Sequence, residues 1–130
     1  MDEVIRNKIA IIKRCLKRIQ EEYVGHESEL EFNYTKQDSV ILNLQRVCEA
    51  AIDVAMRVVS INDLGLPQSS RDVFILLENA KYITPELSQA LQSMVGFRNI
   101  AVHDYQTINS ILKHRLSDFD SFIESVIKQN

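Results

Sequence analysis

Between Val40 and Val59 the chain carries two apolar rows at once. Val40, Leu44, Val47, Ala51, Val54 and Val58 recur at steps of three and four, and Ile41, Cys48, Ile52, Ala55 and Val59 form a second row beside them. Such steps place side chains on one face of an α-helix. Two apolar faces on one helix need cover from more than one side. The segment, predicted over about Asp38 to Ile61 with a capping signal from Thr35 and Asp38, is either the central helix of a bundle or one shared with another subunit.

The flanking segments supply the cover. Ile5, Ile9, Ile12, Leu16, Ile19 and Tyr23 form one stripe along a first helix from about Asp2 to Tyr23. "VGHESELEFNY" breaks that pattern and predicts a loop or short turn, and "INDLGLPQSS" is a connection marked by Gly65 and Pro67. Ser69 with Asp72 caps a short helix containing Val73, Phe74, Leu76 and Leu77. Thr84 followed by Pro85 and Glu86 starts another, which carries Leu87, Leu91, Met94 and Val95 and extends to Arg98. A last amphipathic helix begins near Thr107 and presents Ile108, Ile111, Leu112, Leu116, Phe119, Phe122, Ile123 and Val126. The expected fold is all-α, an antiparallel bundle of about four to five helices in one domain over residues 1–130.

A chain of 130 residues is long enough for one core. Its apolar runs, such as "FILL", are too short to cross a bilayer. The start "MDEVIRNK" mixes both charge signs without an apolar stretch, unlike a secretion signal, so the expected compartment is the cytoplasm. Cys15 and Cys48 both fall within apolar helical patterns and read as reduced core thiols. A disulfide would need an oxidising setting, and no metal-ligand spacing accompanies them, so neither metal nor cofactor is called for.

The net charge of −3 argues against gripping long duplexes by broad neutralisation. The distribution is uneven, however. Arg6, Lys8, Lys13, Arg14, Lys17 and Arg18 occur with no acid among them, and Glu21, Glu22, Glu27, Glu29 and Glu31 follow. That basic helix could hold phosphates, or be a solvated face with cations toward its carboxyl end. Arg46, Glu49, Asp53 and Arg57 form a polar stripe that is either an exposed ion-pair ladder along the second helix or the lining of a cleft.

The densest polar chemistry lies in "RNIAVHDY", residues 98–105. On a straight helix Asn99 and His103 share a face, and Arg98 and Tyr105 share another. Either the helix bends or ends within the stretch, or a second copy of the chain supplies a partner. Arginine can fork two hydrogen bonds onto phosphate oxygens. Histidine exchanges a proton near neutrality, and tyrosine offers a hydroxyl or a stacking ring. RNA carries its own nucleophile, the 2′-hydroxyl, so a base and a cation can cleave it without metal. His26 and His114 have no comparable neighbours. Clusters of this kind also serve merely to satisfy helix ends, in which case the protein is a plain helical scaffold.

Arg98-x4-His103-x-Tyr105 resembles the signature of the HEPN superfamily, and the following tyrosine is similar to its HepT branch of small toxins. Length, helical order and the motif's place before a final amphipathic helix match as well. The resemblance implies a metal-independent endoribonuclease toxin with Arg98 and His103 as the catalytic pair. Arg98 would stabilise the phosphorane and His103 would act as general base or acid. Tyr105 would position RNA, and Asn99 would orient the imidazole or bind phosphate. It further implies a homodimer and a nucleotidyltransferase antitoxin that silences the toxin by adenylylating Tyr105. Some HEPN relatives are instead non-catalytic subunits that bind nucleotide for a nucleotidyltransferase, and this is the alternative expectation.

Overall fold

The computed structural model describes residues 1–99 and 105–129, and the side chains of all of these except Arg98, Asn99 and Tyr105. Every regular element among them is helical. In order these are α1 (Glu3–Tyr23), α2 (Glu27–Leu30), α3 (Tyr34–Ile61), α4 (Ser70–Asn79), α5 (Pro85–Met94), a 3-10 helix (Val95–Asn99), α6 (Tyr105–His114) and α7 (Leu116–Gln129).

The central helix is α3. Both of its apolar rows are buried, covered by α1 on one side and by α4, the 3-10 helix and α7 elsewhere. The rows therefore do not await another subunit. Cys15 and Cys48 are free thiols in the same core. Phe74 on α4 meets Phe122 on α7 edge-on, with ring centroids 5.8 Å apart. Phe74→Ala is expected to cost about 3–5 kcal/mol, because the cavity adds to the lost transfer energy. Urea denaturation would measure it, and a loss below about 1 kcal/mol would mean that the site collapses to fill the gap.

The sequence misplaces the start of α3. Thr35 and Asp38 lie inside the helix, and its cap is Asn33, whose side-chain oxygen accepts the Lys36 N–H at 3.0 Å. Buried Gln37 then donates its side-chain amide to the carbonyls of Leu30 and Glu31, tying down the one-turn helix α2. The first turn of α3 is polar because it caps its neighbours, so apolar periodicity does not register it. The caps of α4 and α5 are as expected. Ser69 accepts from Asp72 N–H, and Thr84 accepts from Leu87 N–H with Pro85 in the first turn.

The carboxyl-terminal helix is also two elements. Tyr105, rather than Thr107, opens α6, and Arg115 separates it from α7. Arg115 N–H still reaches Ile111 C=O, and its own carbonyl then accepts from Asp118 N–H, a three-residue step. No glycine or proline marks this joint, and the apolar spacing continues through it. This break, α2 and the 3-10 helix that replaces the end of α5 account for the larger number of helices.

Two members of the polar stripe on α3 pair across to α1 rather than along their own helix. Arg57 reaches Asp2 at 2.9 Å, and Asp53 meets Lys8 at 3.0 Å, so both clamp α1 against α3. With Lys36 and Glu22 at the other end, these pairs fix the two helices as antiparallel. Asp2 also caps α1 by accepting Ile5 N–H. The Arg57 hydrogen bond, aided by that N–H, holds the Asp2 carboxyl below its ordinary range. Folding therefore lowers this pKa, and its stabilising contribution is complete above the unfolded value of about 3.9. It disappears as pH falls through the lower folded value. Asn caps about as well as Asp, so Asp2→Asn should melt earlier than wild type at neutral pH and match it in acid. A melting gap that persists unchanged at pH 2 would show that charge is not the cause.

Candidate active site

Arg98, Asn99 and Tyr105 sit where one helix tightens and another begins. The α geometry of α5 stops at Met94, and Val95 N–H turns to Gln92 C=O, the three-residue step of a 3-10 helix. Arg98 and Asn99 end that 3-10 helix, and Tyr105 is the first residue of α6. The face-sharing expected of one straight α-helix therefore does not hold for Arg98 and Tyr105. His103 lies outside the described residues, as do the side chains of Arg98, Asn99 and Tyr105.

Each flank of the motif is anchored by apolar side chains. Val95 and Phe97 pack partly buried against the core, and the 3-10 helix lies on α3 and α5. On the other flank Ile108, Ile111 and Leu112 are buried. The Tyr23 hydroxyl donates to the Asn109 side-chain oxygen at 2.8 Å, which fastens α6 to the end of α1. The backbone positions of Arg98 and Tyr105 are thus set by separate parts of the core rather than by one helix.

Between these flanks runs a surface groove of about 340 Å³, lined by Phe97, Gln106, Thr107, Ser110, Ile111 and Arg115. It touches the residue before Arg98 and the residue after Tyr105. Its lining offers a ring, hydroxyls, an amide and a guanidinium, a set suited to a phosphate and a base. Arg115 makes no ion pair with another described residue. Sequence analysis singled out no role for Arg115. Only the joint between α6 and α7 brings it to this groove, and a run of basic residues such as "KHR" gives no hint of it. No group of His, Cys, Asp and Glu able to hold a metal occurs among the described residues.

The sequence profile of the family described as "Ribonuclease HepT-like" matches residues 12–126. The chain belongs to the HepT-like ribonuclease family. HepT-like relatives are similar along nearly all of it. An mRNA nuclease HepT of Shewanella oneidensis is 53% identical, covering 97% of this chain and 98% of the relative. A tRNA nuclease HepT of Aphanizomenon flos-aquae is 27% identical, covering 82% and 72%. Among solved structures, a tri-AMPylated Shewanella oneidensis HEPN toxin in complex with MNT antitoxin is 52% identical and superposes with a TM-score of 0.90 over the full length of both chains. A toxin–antitoxin structure with AMP-PNP, also 52% identical over both full lengths, gives 0.93. HepT-like membership thus confirms the all-helical fold and the family that the motif suggested.

Proposed function

We propose that this chain is the toxin of a toxin–antitoxin pair and cleaves RNA endonucleolytically without a metal. One observation carries the reading: near-complete coverage at 53% identity by a protein that is an mRNA nuclease. Residues 1–130 act as one HEPN-like domain that pairs as a homodimer. The compartment is the cytoplasm, where RNA is found, and no described helix is long and apolar enough to cross a membrane.

In the reaction the 2′-hydroxyl attacks the adjacent phosphorus. His103 takes the hydroxyl proton as general base, or gives a proton to the leaving oxygen as general acid. Arg98 holds the phosphorane oxygens with its forked donors, where charge develops. The P–O5′ bond breaks, leaving a 2′,3′-cyclic phosphate on one fragment and a 5′-hydroxyl on the other. Asn99 orients the imidazole or binds phosphate, and Tyr105 positions the RNA. The partner is a nucleotidyltransferase antitoxin that moves adenylyl groups onto Tyr105, a reading supported by the AMPylated toxin to which this chain is similar. Those added phosphates compete for the Arg98 cation and fill the RNA site.

Incubating the purified chain with mRNA and tRNA in the presence of EDTA tests the activity. Internal cuts ending in cyclic phosphate are expected. RNA left intact with EDTA but cut with added divalent metal would overturn the metal-free mechanism, and RNA intact under both conditions would overturn the enzyme.

A further inference from the structure

We infer that the exposed face of α1 bearing Lys13, Arg14, Lys17 and Arg18 is a phosphate-binding track that holds single-stranded RNA beside the active site. The inference rests on the ribonuclease reading and adds to it a substrate-binding surface outside the motif.

All four side chains are exposed. None of them makes an ion pair or other polar contact with a described residue. Several other charges nearby are already paired. Lys8 is paired with Asp53 and Arg57 with Asp2, and Lys36 reaches Glu22. Asp53 and Arg57 of the α3 stripe are therefore spent on holding α1 to α3, whereas the α1 cluster pairs with nothing among the described residues.

Helix electrostatics does not account for the cluster either. Cations favour the last turn of a helix, and the effect fades beyond that turn. Here α1 continues to Tyr23, its last turn holds no basic residue, and Glu21 and Glu22 follow the cluster. Lys13 with Lys17 and Arg14 with Arg18 are like-charged pairs four apart, an arrangement that destabilises an isolated helix. Glu21 and Glu22 stand four residues beyond Lys17 and Arg18, yet these cations form no ion pair with them, and a row of exposed cations without partners among the described residues suits an anionic ligand.

Placement selects the ligand. Lys17 is nine residues from Lys8, about half a turn around the axis from the flank that grips α3. Lys17 is also about 9 Å along the axis from Tyr23, and the Tyr23 hydroxyl bonds Asn109 one turn beyond Tyr105. The track thus runs along the outside of α1 toward the helix that begins with the motif tyrosine. Four cations within two turns match a flexible polyanion, which can bend from the groove onto this face. They form a local stripe on a chain whose net charge is −3, which suits a tethered single strand better than a long duplex.

The test compares the wild-type chain with the Lys13→Gln/Arg14→Gln/Lys17→Gln/Arg18→Gln variant in steady-state cleavage of a long single-stranded RNA and of a trinucleotide. Circular dichroism and melting verify that both fold alike. The variant is expected to show a raised KM for the long RNA with kcat unchanged, since uniform binding is lost. Its salt dependence should flatten by about 0.7 in log–log slope for each phosphate contact removed, and trinucleotide cleavage should be unaltered. A Lys13→Arg/Lys17→Arg variant should behave as wild type, because charge is what the track supplies. An unchanged KM and salt slope in the neutralised variant would overturn the track and leave the ribonuclease intact. Failure of the wild-type chain to cut any RNA would instead remove the ribonuclease reading, and the track with it. Unchanged RNA kinetics combined with lost co-purification of the nucleotidyltransferase would assign the face to a protein partner and overturn the RNA assignment.

Discussion

His103→Ala is expected to cut RNA at least about a hundred-fold more slowly than the wild-type chain, the lower end of what a positioned acid or base contributes. The variant should fold normally, because the flanks of the motif are held by Val95 and Phe97 on one side and by Ile108, Ile111 and Leu112 on the other. Single-turnover cleavage across pH 5–9 separates a chemical role from a structural one. The wild-type rate should vary with pH through a proton-transferring group, and that dependence should vanish in the variant. Arg98→Lys should also be slow, since a single ammonium does not replace a forked guanidinium on a phosphorane. Wild-type rates in His103→Ala would remove the imidazole from the mechanism.

Tyr105→Phe is expected to make the toxin resistant to its antitoxin. With ATP and the nucleotidyltransferase, the wild-type chain should gain mass in adenylyl increments and lose its cleavage activity. The Tyr105→Phe chain should gain none, and its activity should be the same with and without the partner and ATP. That ratio is the readout, because on the proposed reading Tyr105 would also position RNA and its loss would change the basal rate. On the same reading each adenylyl group would carry a phosphate that competes for the Arg98 donors that would hold the phosphorane. If wild-type cleavage is silenced while its mass stays unchanged, the partner acts by covering the site rather than by modifying the tyrosine.

How much of this was legible beforehand follows from the range of the interactions concerned. The stripe on α1 and the double row on α3 were visible because steps of three and four map directly onto helix faces. Ser69 and Thr84 were visible because a cap bonds an N–H only three residues away. The Asn33 cap was missed because Thr35 and Asp38 offered an equally good local pattern, and buried Gln37 reaches back to carbonyls that the pattern does not include. The joint at Arg115 was missed because apolar spacing continues across it. At the site, the residue types and their order were legible in "RNIAVHDY", whereas the groove lined by Phe97 and Arg115 was not.

What the sequence determined alone is the local part: helical periodicity, the caps of α4 and α5, and a motif whose residue types suit chemistry on an RNA phosphate. Tertiary structure decided which charges remain available. Asp2 and Arg57 stand fifty-five residues apart, and only the antiparallel docking of α1 on α3 joins them. That docking takes up Asp53 and Arg57 of the stripe on α3 and leaves Lys13, Arg14, Lys17 and Arg18 of α1 exposed. Periodicity reports which face a residue occupies on its own helix, but charge pairing between helices depends on how those helices are placed.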